Sequence, residues 1–160
     1  MIFLTVGTQF GFDRLVRSVD EAIKEGLIQH PVVAQIGPGQ YQPRHMEYVV
    51  SFEKTQFDKT LHTCQAIISH AGIGNISLAL SLGKPLLVMP RLKKFKEVVN
   101  DHQLYTARKF EQLGHVLAVY RTEELPEKIK QLKRFVPQPR NPNLQGILDR
   151  VELYLYSLRF

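Results

Sequence analysis

The sequence predicts a doubly wound α/β fold, in which a mostly parallel sheet is covered by helices on both faces. Two observations lead to this prediction. Short segments that are apolar throughout alternate along the chain with helical segments, and uninterrupted apolar strands are typical of a parallel sheet buried on both faces. Glycine-containing turns follow several of these strands. In such sheets ligands bind beyond the carboxyl ends of the strands, so the turns are where a site is expected.

The predicted strands are short and almost free of charge. Pro31 precedes the second strand and Gly37-Pro38-Gly39 ends it, while Pro85 and Pro90 bracket the fifth. The six segments cover residues 2–6, 32–36, 48–52, 66–69, 85–90 and 116–120.

The predicted helices fill the intervals between the strands. The first is amphipathic, because Leu15, Val16, Val19, Ala22 and Ile23 recur at helical spacing. Gly83 and Gly114 are placed to end the third and fourth helices. The segments cover residues 12–28, 55–63, 74–82, 99–113 and 123–134.

The C-terminal segment is expected to differ from the rest. We predict a nucleotide-sugar-binding α/β domain over residues 1–136, then a connector containing Pro137, Pro139 and Pro142, then a helix that completes residues 137–160. Apolar residues recur there at spacings of three and four. They are Leu144, Ile147, Leu148, Val151, Leu155 and Leu158. This face either packs on its own domain or docks on a partner.

Composition indicates one globular domain without a membrane span. The chain has 160 residues, of which 44% are apolar and 22% charged, so it can bury a core. No apolar run approaches the roughly 20 residues that a spanning helix needs. The segment Met1–Val6 lacks the basic start of a signal peptide, and Cys64 is the single cysteine, so the cytoplasm is the expected compartment.

The net charge of +6 is partly concentrated in two clusters. A basic balance suits phosphorylated small molecules, anionic lipid or nucleic acid, and it equally suits two solvated faces. Nucleic acid is disfavoured because aromatic side chains are not interleaved with the cations. The clusters are Arg91, Lys93, Lys94 and Lys96, and Lys128, Lys130, Lys133 and Arg134.

The strongest local motif is the turn Ser69-His70-Ala71-Gly72-Ile73-Gly74-Asn75 between a strand and a helix. Glycines let the backbone approach a ligand, and a helix N-terminus offers free N–H groups, an arrangement that suits a diphosphate. The dinucleotide fingerprint is incomplete, because Ser77 replaces its last glycine and no acidic residue ends the following strand. The alternative is a tight turn whose glycines serve packing alone.

Two weaker motifs accompany this turn. The segment Gly7-Thr8-Gln9-Phe10-Gly11 follows the first strand and offers N–H groups and the Thr8 hydroxyl to a phosphate, or is a plain turn. The segment Asn100-Asp101-His102-Gln103 provides four consecutive side chains that can hydrogen-bond sugar hydroxyls. Alternatively, Asn100 or Asp101 only caps a helix.

Metal and cofactor chemistry are not expected. The histidines lack His-x-x-x-His spacing, one cysteine gives no zinc set, and no Asp-x-Asp triplet is present to hold a metal-bound diphosphate. The Walker lysine motif and the Gly-x-Ser-x-Gly elbow are also missing. We therefore predict neither a metal nor a cofactor.

Three segments in order resemble one family: residues 68–74, 82–91 and 100–103, with Val6-Gly7-Thr8-Gln9 also fitting. The chain resembles the glycosyltransferase family 28 C-terminal domain over residues 1–120. Within that family it looks closest to PssE-like subunits of exopolysaccharide and capsule glycosyltransferases. It is also similar to the small subunit of the two-subunit N-acetylglucosaminyltransferase of dolichol-linked oligosaccharide synthesis.

This resemblance implies a Rossmann-like, donor-binding half of an inverting GT-B enzyme split across two chains. The donor would be a UDP-sugar and the acceptor a sugar linked to polyprenyl diphosphate. A membrane-anchored subunit would bind the acceptor and recruit this chain to the inner face of the cell membrane.

The same resemblance assigns residues to the donor. The two glycine turns would hold the diphosphate, Asn100 to Gln103 would meet the sugar with Gln103 foremost, and the main chain around Gln35-Ile36-Gly37 would read uracil. Arg91 and Lys93 would help to stabilise the departing UDP. The implied donor site comprises Gly7, Thr8, Gln9, Ile36, His70, Gly72, Gly74, Asn75, Ser77, Arg91, Asn100, Asp101, His102 and Gln103.

One position departs from the family's pattern. Many relatives grip the ribose with a glutamate in the helix after the glycine turn, and Leu78 stands there in this chain, with Ser77 as a weak substitute. The catalytic base is unassigned: His70 is a weak candidate, more readily interpreted as a structural or phosphate-side residue, and the base belongs to the acceptor half in this architecture. The alternatives are a non-catalytic subunit that activates its partner and, less favoured, a nicotinamide-dependent oxidoreductase.

Overall fold

Six parallel strands form one sheet in the order β3-β2-β1-β4-β5-β6, as seen in a computed structural model that describes residues 1–140 and 144–157. Every neighbouring pair is parallel. The predicted doubly wound fold is therefore confirmed. The strands are β1 (Ile2–Thr5), β2 (Val32–Gln35), β3 (Glu47–Val49), β4 (Ala66–His70), β5 (Leu86–Met89) and β6 (Leu117–Ala118).

Helices connect the strands and cover both faces of the sheet. They are α1 (Asp13–Lys24), α2 (Lys54–Thr63), α3 (Ile73–Ser81), α4 (His102–Gln112), α5 (Leu125–Leu132) and α6 (Leu144–Ser157), with short 3₁₀ turns at Lys93–Phe95 and Thr122–Glu124.

The core has two layers because successive strand side chains point to opposite faces. Leu4 packs with Leu15 and Ile129 beneath α1 and α5. Phe3 packs with Leu61 and Ile76 beneath α2 and α3 on the other face. Burial on both faces explains why the strands read as continuous apolar runs.

The first helix is shorter than the predicted 12–28 and ends at Lys24. Gly26 adopts the left-handed conformation, with φ +74°. The Gly26 N–H donates to Ile23 O and the Leu27 N–H to Ala22 O, the pattern of a Schellman motif. The glycine thus stops the helix before the apolar pattern ends.

The fourth helix also differs from its predicted span of 99–113, because it begins at His102. Asp101 Oδ1 accepts a hydrogen bond from the Lys93 N–H, and Asn100 Oδ1 accepts one from the His102 N–H. The first bond ties Asp101 to a backbone group outside the helix and the second holds the N–H of the first helical residue, which keeps the residues before His102 in a loop.

The third strand ends at Val49 and not at the predicted residue 52. Its partner β2 turns away at Gly37, which has φ +62°. The Phe52 N–H donates instead to the side chain of Gln35, at 2.9 Å.

The C-terminal helix exposes much of its apolar surface. Leu148, Val151 and Leu155 are 59%, 50% and 56% exposed. Leu158 and the side chains of Leu144 and Ile147 lie outside the described residues. Within the described part of the chain, no helix has the length and apolar character that crossing a bilayer requires.

Candidate functional site

The turns after β1, β4 and β5 meet at the carboxyl edge of the sheet, because these three strands are neighbours. A β-carbon placed on Gly7 would lie 3.3 Å from His70 Nε2, so the imidazole packs against the first glycine turn. Gly7 has φ +81°, which favours glycine there. The two predicted glycine turns are therefore brought together.

A polar network forms the floor beneath these turns. Ser69 Oγ donates to Thr5 O at 2.7 Å, and Asn75 Nδ2 donates to Ser69 Oγ at 2.8 Å. Gln35 Nε2 donates to Thr5 Oγ1 at 3.3 Å. The network fixes Asn75, the first side chain of α3 that reaches back to the sheet, relative to both neighbouring strands.

Sequence reasoning missed Thr5, Gln35 and Ser69 as members of this floor. The three are partners in register across β2, β1 and β4. Each is a buried polar residue at or near the end of an apolar strand, at 1%, 2% and 0% exposure. The signal for this floor in the sequence was a polar residue at or near the end of each of three apolar strands.

Gly72 and Gly74 have different reasons to be glycine. Gly72 is the N-cap of α3, and a β-carbon there would overlap the His70 imidazole. Gly74 has nothing within 4 Å of such a β-carbon and no positive φ. Gly74 therefore needs no unusual φ, and its side of the helix N-terminus is open.

Arg91 is buried at 3% exposure, and its guanidinium binds carbonyl oxygens of the loop after β1. Nη2 donates to Val6 O and Phe10 O, both at 2.8 Å, and Nη1 donates to Gly11 O at 2.5 Å. The cation also stacks on the Phe12 ring, 4.8 Å from its centroid. The structure therefore shows Arg91 as a brace for the loop, while its contact with a diphosphate stays a prediction.

The brace has a consequence for the loop's N–H groups. Because carbonyls on both sides of the turn point inward to Arg91, the intervening Thr8 and Gln9 are left exposed. Within the described residues, the N–H groups of Thr8, Gln9 and Phe10 have no recorded protein acceptor. Exposed N–H groups on a turn of this kind can receive an anion.

The segment that we predicted to meet the sugar lies beside the end of β5. Gln103 is 6% exposed, and its Oε1 accepts a hydrogen bond from the Arg91 N–H at 3.2 Å. Asn100, Asp101 and His102 are exposed. Asn100 Oδ1 contacts both the N–H and Nδ1 of His102, whereas Asp101, the N-cap of α4, makes no side-chain capping hydrogen bond.

The uracil prediction centred on Ile36 meets a constraint. The Ile36 N–H donates to Val49 O and the Gly37 N–H to Val50 O, both at 3.0 Å. A β-carbon on Gly37 would press on the carbonyls of Phe10 and Gly7, at 3.1 and 3.2 Å. These two N–H groups are committed to the sheet, so a base at this edge would have to be read by other groups.

His70 is held in its neutral form. Burial, and then the nearby charge of Arg91, lower the pKa of His70 to about 4. Its Nδ1 is buried and, within the described residues, has no hydrogen-bond partner. A group with so low a pKa is a weak proton acceptor at neutral pH, which supports a structural or ligand-side role over that of a base.

The position at which the sequence predicted a ribose contact carries an apolar side chain. Leu78 is 36% exposed on α3. Ser77 Oγ, the suggested substitute, accepts a hydrogen bond from Arg140 Nη1 at 3.3 Å. The polar groups at this part of α3 are therefore the Ser77 hydroxyl and the exposed guanidinium of Arg140, which contacts the helix from outside.

With this geometry in place, comparison with known proteins identifies the class. The chain matches the glycosyltransferase family 28 C-terminal domain over residues 1–146. The chain belongs to this family, and its sheet, helices and glycine turns are those of the Rossmann-like half of a GT-B protein.

Individual relatives refine the picture. The chain is 35% identical over 94 residues to the UDP-N-acetylglucosamine transferase subunit ALG13 of Candida glabrata, covering 57% of this chain and 45% of the relative. It is 27% identical, over 99% of its own length and 48% of the relative, to the UDP-N-acetylglucosamine–N-acetylmuramyl-(pentapeptide) pyrophosphoryl-undecaprenol N-acetylglucosamine transferase of Clostridium tetani. An NMR structure of ALG13 matches 94% of this chain and 93% of its own, with a TM-score of 0.58 at 19% identity.

The chain thus spans less than half of the length of these two relatives, and 10% of the mouse protein that carries the ALG13 subunit name. The NMR structure, by contrast, is matched over nearly its whole length and shares the fold.

Proposed function

We propose that this chain is the UDP-sugar-binding subunit of a two-component inverting glycosyltransferase. The observation that carries the proposal is the pair of glycine turns at the carboxyl edge, where the His70 imidazole joins them and Arg91 draws the carbonyls of the first turn inward. The N–H groups of Thr8 and Gln9 and the N-terminus of α3 would then be available to a ligand at the same edge of the sheet. That combination suits a diphosphate.

The names of the relatives support the donor and the division of labour. One relative is named as a subunit of a UDP-N-acetylglucosamine transferase, and another as a transferase acting on a pyrophosphoryl-undecaprenol substrate. The chain spans 48% of the second of these relatives. We therefore propose a membrane-anchored partner that binds a polyprenyl-diphosphate-linked acceptor in exopolysaccharide or capsule synthesis and recruits this chain from the cytoplasm.

Departure of UDP requires stabilisation of the charge that develops on its diphosphate. Backbone N–H groups of the first turn and the N-terminus of α3 would supply this without a metal ion. Arg91 would act through the loop that it braces, and Gln103 would face the sugar from the start of α4. Because His70 has a pKa of about 4, we place the base that takes the acceptor proton on the partner.

One observation favours a second candidate, a non-catalytic subunit that stabilises its partner. Leu78 replaces the glutamate that grips ribose in many relatives, and the neighbouring Ser77 hydroxyl already accepts a bond from Arg140. A weak ribose contact would lower donor affinity. Measurement of UDP binding by the chain separates the two candidates, since the second requires none.

The decisive experiment reconstitutes sugar transfer from the two subunits and a lipid-linked acceptor. We expect transfer only when both chains are present. Gln103→Ala should reduce transfer from the UDP-sugar much more than it reduces binding of UDP. Equal losses would mean that the sugar does not lie at Gln103, and transfer by the partner alone would favour the non-catalytic role.

A further inference from the structure

The loop after β5 presents cations and apolar side chains on one exposed surface. Residues 93–99, which we call the 93–99 loop, contain Lys93, Lys94 and Lys96, and all three are exposed. Phe95 is 50% exposed and Val99 is 88% exposed. The Phe95 ring also lines a cavity together with Phe10, which is 61% exposed on the first glycine turn.

The one carboxylate in the 93–99 loop is turned inward. Glu97 Oε1 and Oε2 accept hydrogen bonds from Arg14 Nε and Nη2, both at 2.9 Å. Glu97 Oε2 also accepts one from the Leu92 N–H at 2.9 Å. The Glu97 carboxylate is therefore fully engaged in hydrogen bonds within its own domain, whereas the three lysine side chains remain exposed.

The outward lysines have no counter-charge. Over residues 1–140 and 144–157, no ion pair is formed by Lys93, Lys94 or Lys96. The loop is also held in place from below, since Arg14 stacks on Phe95 at 4.8 Å and the Lys93 N–H donates to Asp101. The result, over the described part of the chain, is a surface of cations without ion pairs beside exposed apolar groups, with Lys94 Nζ itself lying over the Phe95 ring, 4.8 Å from its centroid.

The second basic cluster provides a contrast within the same chain. Lys128 pairs with Glu111 at 2.9 Å, and Lys130 approaches Glu127 at 3.9 Å. Two of the four cations in that cluster therefore have an acidic partner, whereas, among the described residues, none of the three lysines of the 93–99 loop does. The lack of ion pairs at the loop does not follow from the net charge alone.

We propose that the 93–99 loop contacts an anionic lipid surface directly. Lysines are attracted to anionic headgroups, and exposed apolar side chains beside them can enter the interface. A protein partner fits less well, because lysine is depleted in protein–protein interfaces. Nucleic acid is the other polyanion that lysines bind. This contact goes beyond recruitment through a partner subunit and would add to it.

The proposal is tested with the full chain and two kinds of vesicle, one of phosphatidylcholine and one of phosphatidylcholine with phosphatidylglycerol in equal parts. The chain should cosediment with the anionic vesicles and not with the neutral ones. Lys94→Gln with Lys96→Asn should lower the apparent affinity by about tenfold or more. Asparagine is chosen at residue 96 because Lys96 has φ +58°, which asparagine tolerates.

Two further variants complete the design. Lys130→Gln with Lys133→Gln removes the same charge from the second cluster and should leave vesicle binding within about twofold of the parent chain. Phe95→Ser with Val99→Ser should weaken the part of binding that survives high salt. UDP affinity should be unchanged in the Lys94/Lys96 variant. A loss of vesicle binding can therefore be distinguished from a loss of donor binding.

The contrary outcomes are also defined. Absence of binding to the anionic vesicles would overturn the proposal, as would equal losses in the two lysine variants. Binding of a single-stranded oligonucleotide through Lys94 and Lys96, without vesicle binding, would assign the surface to nucleic acid instead.

Discussion

At the scale of single residues, Arg91 shows how a buried cation can shape a site that it need not touch. Its three carbonyl contacts and its stacking on Phe12 fix the loop over residues 6–11. The position after an apolar strand was readable from the sequence, but the direction of the side chain was not. Its direction depends on where the loop after β1 places its carbonyl groups.

Arg91→Met should damage phosphate binding more than nucleoside binding. The variant leaves carbonyl groups without their donor, so we expect the free energy of unfolding to fall by about 2–4 kcal/mol. In the folded fraction, affinity for UDP should fall at least about tenfold while affinity for uridine changes little. Calorimetry with both ligands checks this. Arg17→Met, at an exposed arginine of α1, is the matched control, and equal losses for UDP and uridine would contradict the brace.

Gly74→Val tests whether the N-terminus of α3 receives the diphosphate. Because nothing lies within 4 Å of the added β-carbon and φ is ordinary, the variant should fold with nearly the parent stability. The isopropyl group should nevertheless block the path of the ligand and abolish UDP binding. Ser81→Val, an exposed position at the other end of α3, should bind UDP normally. A folded Gly74 variant with unchanged UDP affinity would make the turn merely structural.

The titration of His70 gives a pH prediction. Because the pKa of His70 is about 4 in the folded chain and about 6.5 in the unfolded chain, the unfolded state binds more protons between these values. Stability should therefore fall as pH is lowered, by about 2 kcal/mol between pH 7 and pH 5 from this group. His70→Gln should remove that loss, and His62→Gln, at an exposed histidine, should not.

NMR titration of the imidazole provides the readout at the site itself. A bound diphosphate would place negative charge beside His70 and should raise its pKa. A midpoint near 6.5 in the free chain would contradict the buried environment, and a midpoint that UDP does not move would place the diphosphate elsewhere.

At the scale of elements, strand and helix types followed from local pattern, whereas their ends depended on tertiary contacts. Apolar runs located all six strands, and helical spacing located α1 to α5. The ends of α1 and α4 were set by Gly26 and by the side-chain bonds of Asn100 and Asp101. Such bonds join residues whose proximity is created by the fold, so periodicity alone does not reveal them.

The location of the candidate site was predictable from the sequence, as the strands and helices were, but the contacts within the site were not. The two glycine turns could be placed at one edge because parallel strands share the direction of their ends. The floor of Thr5, Gln35 and Ser69 was missed, since each residue looks unremarkable until the register aligns them. The hydrogen bond from the Ile36 N–H to Val49 O was likewise not predictable, because the sequence does not show which strands pair with each other.

Deletion of residues 141–160 should leave the α/β domain folded and weaken capture of the partner. The segment before the deletion is tied down independently, because the Gln138 N–H donates to Gly114 O and Gln138 O meets His115 Nδ1. The exposed apolar face of α6 makes it a candidate for docking. Thermal unfolding and partner pull-down measure the two effects, with Leu148→Ser/Val151→Ser/Leu155→Ser as a full-length comparison.

The outcome of the deletion separates two roles for α6. A truncated chain that stays folded and captures its partner at full strength would contradict the docking role. Unfolding of the truncated chain would instead assign α6 to the core of its own domain.

At the scale of the whole molecule, the chain belongs to the glycosyltransferase family 28 C-terminal domain and spans 48% of the Clostridium tetani relative. Its strand order places the turns of β1, β4 and β5 at a common edge. Among the described residues, no group of histidine, cysteine and carboxylate side chains is arranged to hold an ion. The diphosphate would then depend on backbone N–H groups and a helix end.

Calorimetry of the isolated chain with UDP, NAD and a chelator tests the central claim most directly, namely that this edge binds a UDP-sugar donor without metal. The dinucleotide fingerprint is incomplete, because Ser77 replaces its last glycine and no acidic residue ends the following strand, and both facts argue against a dinucleotide. The account predicts that UDP binds more tightly than NAD and that the chelator leaves UDP affinity unchanged. Tighter binding of NAD, or loss of UDP binding when the chelator is added, would contradict it.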